Sequence, residues 1–115
     1  MCYNCSKLNN ISIACPSLTE ATSMYQGCTS LNNIAIKDKY NNLQNGKQMF
    51  ANCTSLNNID VYFPELTSGV NMFRNCSGLT NLGEVNISKL TDGRAMFAGC
   101  KLNKDSVTKI INSLK

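Results

Sequence analysis

The sequence contains no histidine and no tryptophan, and only 16% of its 115 residues are charged. Without histidine the commonest general base of enzymes is missing, so Ser-His-Asp, Cys-His and H-E-x-x-H arrangements are excluded. The acidic residues are scattered, and only Asp60 and Glu84 share a position in the repeat described below. Stacked strands alone bring two such carboxylates to about 5 Å, so this pair does not indicate glycoside hydrolysis. We therefore expect no enzymatic activity and no cofactor.

Long hydrophobic runs and a dense basic face are also missing. No stretch approaches the roughly 18 apolar residues that indicate a membrane-spanning helix. The formal net charge is +4, and residues 86–115 account for all of it with six cations and two carboxylates. Because these cations are spread out and not interleaved with aromatic residues, we interpret them as a solvated cap. We expect neither nucleic-acid binding nor membrane insertion.

The sequence is instead dominated by one small repeated unit. A block of the form Met-Phe-x-x-Cys-Thr/Ser-x-Leu, with some degenerate copies, returns every 23–25 residues. Such a period is typical of a solenoid, in which units too short to bury a core alone stack on their neighbours. We therefore predict a single array over residues 1–115. Its repeats begin near Met1, Met24, Met49, Met72 and Met96.

Apolar residues alternate within each repeat as they do in a half-buried strand. In the third repeat, Ile59 and Val61 are predicted to point inward, whereas Asp60 and Tyr62 point outward. Stacked copies would form a narrow parallel sheet, and each Met-Phe pair is predicted to lie in one or two turns of α- or 3₁₀-helix. The other predicted inward residues are Leu8, Ile11, Ile13, Leu31, Ile34, Ile36, Leu56, Leu79, Leu82 and, after an insertion at Gly83, Val85.

The last residues predict a helix that caps the array. Asn103 is a suitable N-cap for a helix over residues 104–114. An apolar stripe at helical spacing is expected to cover the last repeat, while Lys104, Lys109 and Lys115 remain in solvent. The stripe consists of Val107, Ile110, Ile111 and Leu114.

The run Met-Phe-x-x-Cys-Thr-Ser-Leu, followed by Ile-x-Val and Pro-x-Leu-Thr, resembles the BspA-type leucine-rich repeats of bacterial surface proteins, mycoplasma surface lipoproteins and gut-phage proteins. The resemblance covers nearly the whole chain. It implies an α/β fold: a right-handed leucine-rich-repeat solenoid with a short parallel strand and a short helical turn in each repeat. It also implies adhesion or host interaction at a cell surface, outside the cell or in a phage virion, but no particular ligand.

Five of the seven cysteines occur once per repeat at one position. We predict a column of buried free thiols, because side chains that leave parallel layers in the same direction have poor disulfide geometry. Cys2 and Cys15 are exceptions, and three alternatives remain open for them: substituted core positions, a disulfide, or metal or redox chemistry. The predicted column consists of Cys5, Cys28, Cys53, Cys76 and Cys100.

Outward strand positions differ between repeats, whereas inward positions recur. A partner is therefore expected to contact the outward positions. Tyr62 is the only aromatic residue among them, and a tyrosine surrounded by charged groups is a suitable interface anchor. We predict a module that binds a protein or a glycan there. The predicted contact residues are Lys37, Asp60, Tyr62, Glu84 and Asn86.

Two other functions remain open from the sequence. One is a structural spacer in a phage tail or surface fibre, and the other is a soluble inhibitor that acts by occluding a surface. No polar segment precedes the first repeat, so its layer around Cys2, Tyr3 and Leu8 is also expected to permit end-to-end self-association.

Overall fold

The computed structural model describes residues 3–11 and 14–115; the positions Met1, Cys2 and Ile13, which carry predictions above, lie outside these ranges. The fold is a repeat fold with few regular elements, which within these ranges form two two-stranded parallel sheets and one helix. The elements are β1 (Asn10–Ile11), β2 (Asn33–Ile34), β3 (Asn58–Tyr62), β4 (Asn81–Asn86) and α1 (Lys104–Ser113). In the sheets, β1 pairs with β2 and β3 pairs with β4.

The longer sheet has the register that the sequence alignment predicts. Ile59 of β3 lies opposite Leu82 of β4, and Val61 lies opposite Val85. The register shifts by one residue between these two pairs, which confirms the insertion at Gly83. The irregularity therefore lets the inward residues on both sides of the insertion stay in the core.

The segments around the Met-Phe pairs form separate turns in place of the predicted helical turns. In the third repeat, the N–H groups of Met49, Ala51 and Cys53 each donate to the carbonyl three residues earlier. Gln48 and Asn52 have positive φ values of 56° and 64°. A left-handed residue cannot continue a right-handed helix, so the turns remain separate. We call these the Met-Phe segments: residues 21–28, 46–53, 69–76 and 93–100.

The remaining N–H groups of a Met-Phe segment bond to the next repeat. In residues 46–53 they alternate with the turn-closing groups, and all eight N–H groups donate to an acceptor. Every backbone N–H group of this segment therefore has a hydrogen-bond acceptor, although the segment forms neither a helix nor a strand. The bonds between the third and fourth repeats are Gly46–Ser68, Gln48–Val70, Phe50–Met72 and Asn52–Arg74, at 2.8–3.0 Å.

Aromatic and aliphatic side chains fill the interior. The rings of Tyr25, Phe50, Phe73 and Phe97 form a stack with centroids 5.3–5.6 Å apart and interplanar angles of 2–15°. Tyr40 is fully buried, and its hydroxyl lies 3.2 Å from that of Tyr25. Of the described inward residues, Leu8 and Val85 are partly buried, and Ile11, Leu31, Ile34, Ile36, Leu56, Ile59, Val61, Leu79 and Leu82 are buried.

The helix α1 lies where the sequence predicts it, but a face other than the predicted apolar stripe bonds to β4 and Ile87 of the fourth repeat. Asn103 caps its N-terminus by accepting the Ser106 N–H at 2.9 Å. Val107, Ile111 and Leu114 of the predicted apolar stripe are 43%, 52% and 48% exposed, so the prediction that this stripe covers the repeat is wrong. Of that stripe, Ile110 alone packs against the core.

The orientation of α1 follows from the edge of β4, whose N–H groups need acceptors. The buried Ser106 hydroxyl accepts the Leu82 N–H at 2.8 Å, and the Ser113 hydroxyl accepts the Ile87 N–H at 2.8 Å. The ammonium group of Lys109, predicted to remain in solvent, donates to the Leu82 carbonyl at 3.0 Å. Hydrogen bonding to the strand therefore orients this helix more strongly than its apolar stripe does.

Candidate binding surface

The predicted contact residues lie on or beside the sheet, and we call them the outward strand face: Lys37, Asp60, Tyr62, Glu84 and Asn86. In β3, Asp60 and Tyr62 alternate with buried residues, as the pleat of a strand requires. Tyr62 is half-buried and packs against the core, so part of its ring is held in place. The exposed part remains available for contact.

Three side chains from three successive repeats meet on the outward strand face. The Lys37 ammonium lies 3.2 Å from a Glu84 carboxylate oxygen and 5.8 Å from the centre of the Tyr62 ring. The hydrogen bond to Glu84, followed by the negative charge of Glu84, raises the pKa of Lys37. The side chains of Lys37 and Glu84 are 50% and 49% exposed. Such exposed pairs add little to stability, so the relevance of this pair lies in the charged groups that it places beside the tyrosine.

Asp60 positions the backbone of Glu84, one of the residues in this cluster. Its carboxylate accepts the backbone N–H of Glu84 at 2.8 Å and so satisfies the donor that the inserted residue would otherwise leave unpaired. A side chain at Gly83 would collide with the same carboxylate. Asp60 therefore holds the irregular part of β4 in the position from which Glu84 reaches Lys37.

Asn86 lies opposite Tyr62 in the pairing of β3 with β4. Its side-chain oxygen accepts the Ser88 N–H at 3.3 Å and the Ser88 hydroxyl at 3.1 Å. This pattern is typical of an asparagine that closes a turn at the end of a strand. Asn86 thus borders the outward strand face, while Lys37, Tyr62 and Glu84 form its centre.

Residues of α1 extend this face, and sequence reasoning did not identify them. A shallow groove of about 590 Å³ begins at Glu84 and continues to the helix. Lys109 lies in it and donates to the Gly83 carbonyl at 3.2 Å. The helical pattern gave no signal for this role, because it does not show which strand the helix meets. The groove is lined by Gly83, Glu84, Val85, Lys109, Asn112 and Ser113.

A second, polar groove of about 410 Å³ follows the loops before the Met-Phe segments. Its hydroxyl groups bond within the protein: Thr67 donates to the Gln44 carbonyl and Thr91 to the Thr67 carbonyl, both at 3.1 Å. Asp92 pairs with Arg94 at 2.9 Å, and the hydrogen bond from Arg94 lowers the pKa of Asp92. We assign no ligand to this groove, because its carboxylates and threonine hydroxyls already bond within the protein, although the buried Ser68 hydroxyl has no partner among the described residues.

Two of the column's cysteines, Cys53 and Cys76, are fully buried, and their thiols form hydrogen bonds in the interior. Cys53 donates to the Tyr25 carbonyl at 3.2 Å, and Cys76 donates to the Phe50 carbonyl at 3.0 Å. Burial raises the pKa of the Cys53 thiol to about 12. A thiol of such high pKa is a poor nucleophile and a poor metal ligand near neutral pH. Cys15 is a free, half-buried thiol.

Within residues 3–11 and 14–115, no group of three or more His, Cys, Asp or Glu side chains is arranged to hold a metal ion. Over the same ranges, no helix combines the length and the apolar composition that are needed to cross a bilayer.

Comparison with known proteins identifies the repeat. The family model described as BspA type leucine rich repeat region matches residues 1–115 in six copies. No curated protein and no solved structure matches the chain. Repeats of this family generally serve as non-enzymatic binding or structural modules and are typically associated with surfaces. The family match, together with the repeated sequence and the parallel pairing of the strands, shows that the chain belongs to the BspA-type leucine-rich-repeat family.

Proposed function

We propose that this protein is a non-enzymatic module that binds a protein or a glycan through the outward strand face. We also propose that its repeats wind as a right-handed solenoid and that it acts at a bacterial surface, outside the cell or in a phage virion. Membership of the family supports the class of module. The cluster of Lys37, Tyr62 and Glu84 supports the location of the contact surface.

The main observation is that the side chains of this cluster are already in contact without a partner. Lys37 and Glu84 lie 47 residues apart in the chain, yet their charged groups meet at 3.2 Å beside Tyr62. A long side chain that is already held loses less conformational entropy on binding. A half-buried tyrosine with charged neighbours has the composition of an energetic hot spot. The arrangement therefore suits recognition better than it suits stabilisation of the fold.

The test begins with capture of a partner by immobilised protein from surface-protein extracts and from a glycan array. The captured partner is then titrated against the wild type and Tyr62→Ala. We expect at least about tenfold weaker binding by Tyr62→Ala, because loss of a hot-spot side chain costs about 2 kcal/mol or more. Tyr3→Ala is the matched control, since Tyr3 is 55% exposed and does not belong to the outward strand face.

Circular dichroism and thermal unfolding must show that both variants fold like the wild type. If folded Tyr62→Ala retains wild-type affinity, the outward strand face is not the binding surface. If neither the extracts nor the array contain a ligand, the result contradicts a binding role and favours the structural spacer.

A further inference from the structure

The last Met-Phe segment in the sequence, residues 93–100, has the backbone of the earlier ones. In the fourth repeat, alternate N–H groups donate to the carbonyls of Asp92, Arg94, Met96 and Ala98 at 2.7–3.0 Å. The equivalent donors of the last segment have no hydrogen-bond acceptor among the residues that the structure describes. A row of unpaired donors of this kind is a template for a further chain segment. We call this row the open edge: the N–H groups of Gly93, Ala95, Phe97 and Gly99.

The helix α1 does not cover the open edge. Its hydrogen bonds go to β4, through Ser106, Lys109 and Ser113. A mainly apolar groove of about 340 Å³ remains between the helix and the last Met-Phe segment. Leu114, which is 48% exposed, forms part of its wall. The groove is lined by Ile87, Leu90, Thr91, Gly93, Met96, Phe97, Ile110 and Leu114.

The interior of the protein shows which side chains fit such an edge. Between the fourth and last repeats, Met96 lies against Gly69, where an added Cβ would be 3.1 Å from the methionine sulfur. The Phe97 ring stacks on Phe73 with centroids 5.4 Å apart. Gly93 and the outer face of Phe97 hold the corresponding positions at the open edge. The Leu90 side chain lies 2.8 Å from an added Cβ at Gly93 and would turn aside for a further segment. An occupant therefore needs a methionine or a similar apolar residue directly followed by an aromatic residue.

The positive charge of residues 86–115 favours acidic segments among those that could bind at the open edge. Residues 86–115, which include the open edge and α1, contain six cations and two carboxylates. Lys101, Lys104 and Lys115 have no ion-pair partner within the described ranges. Acidic residues beside the apolar–aromatic pair would therefore be attracted to this end of the protein.

We propose that the open edge binds an extended, acidic segment of a partner protein by backbone addition, with an apolar–aromatic pair seated on Gly93 and Phe97. Carbonyl groups at alternate residues of the segment accept the four N–H groups, as the carbonyls of the next repeat do inside the protein. This site lies at the end of the stack and is independent of the outward strand face.

A synthetic peptide provides a defined probe. It copies residues 45–52, whose carbonyls at Asn45, Lys47, Met49 and Ala51 accept the second repeat's N–H groups. It carries Asn45→Asp and Lys47→Glu, which make it acidic. The control peptide has, in addition, Met49→Ser and Phe50→Ser. Fluorescence anisotropy of the labelled peptides with the full chain measures affinity. Hydrogen exchange of individual amides locates the bound peptide.

We expect the control peptide to bind at least about tenfold more weakly than the probe. Leu114→Ser, in the groove wall, should weaken probe binding by about tenfold, whereas Ile111→Ser should change it by less than about twofold. The two positions are matched, because both lie near the end of α1 and are about half exposed, and Ile111 does not line the groove. Exchange of the amides of Gly93, Ala95 and Phe97 should slow when the probe binds.

Several results would overturn the proposal. These are no binding of the probe, equal binding of both peptides, or protection confined to other amides. Protection of the open edge that rises with protein concentration without peptide would show that a second copy occupies the site. Tyr62→Ala should bind the probe like the wild type, so failure here and failure of the proposed function are distinguishable.

Discussion

Replacement of Phe50 by leucine tests whether the aromatic stack holds the repeats together. Phe50 is fully buried between two parallel rings, with centroid distances of 5.6 Å to Tyr25 and 5.3 Å to Phe73. Each stacked pair contributes about 0.5–1.5 kcal/mol beyond simple burial. Loss of two pairs and of some apolar contact should lower the free energy of unfolding by about 2–4 kcal/mol.

Phe97→Leu provides the comparison at the end of the stack. Phe97 is only partly buried and stacks on one ring, that of Phe73, at 5.4 Å. This variant should therefore lose about 0.5–1.5 kcal/mol. Phe63→Leu is the control for burial alone, because Phe63 is fully buried and has one tilted aromatic neighbour, Tyr40, at 6.3 Å. Its loss should fall between the other two.

Equilibrium unfolding in urea, followed by far-UV circular dichroism in the presence of a reductant, measures these differences. The slope of the free energy of unfolding against urea concentration must be the same in all variants. A change in this slope would indicate loss of cooperativity along the array. A cost for Phe97→Leu equal to or larger than that for Phe50→Leu would refute the additive stacking argument. A cost for Phe63→Leu that matches Phe50→Leu would show that burial alone accounts for the effect.

Three further predictions concern pH, the helix and the inserted residue. Burial raises the pKa of Cys53 from 9.0 to about 12, so its contribution to stability is complete below pH 9 and falls by about 1.4 kcal/mol per pH unit up to about pH 12. The free energy of unfolding measured across this range should fall less steeply by that amount in Cys53→Ala, while Cys76, whose pKa is also raised, still contributes a slope. Ser106→Ala should cost about 1–3 kcal/mol in urea unfolding, because a buried N–H loses its acceptor, whereas Ile111→Asp should cost less than about 1 kcal/mol. Gly83→Ala should lower the melting temperature by displacing Asp60, and an unchanged value would contradict the proposed support of β4 by this carboxylate.

The inward residues and the span of α1 could be predicted because local patterns determine them. Alternation identified Ile59 and Val61, and Asn103 marked the helix start. The face of α1 could not be predicted, because it depends on donors of β4 that lie far away in the sequence. The turns at Gln48 were also missed, since glutamine has no preference for a left-handed conformation.

Insertions limited the prediction of the candidate surface. The second repeat has extra residues before Tyr40, near Asp38 with its positive φ of 64°, and these bring Tyr40 into the core beside Tyr25. The sequence placed Asp60 beside Glu84, but it gave no sign that Glu84 reaches Lys37 two repeats away. That contact depends on the irregularity in β4, whose geometry is a tertiary property.

The alternating N–H groups of the Met-Phe segments determine where this protein tolerates changes in length. The step from methionine to cysteine is four residues in the repeats that begin at Met24, Met49, Met72 and Met96, while the distance between successive methionines varies from 23 to 25. A single-residue insertion inside a segment would exchange the turn-closing donors with those that join the repeats, whereas extra residues in the loops leave this order intact. Unequal recombination can therefore add repeats of different lengths when its junctions fall in the loops. Artificial arrays should be joined at the same places.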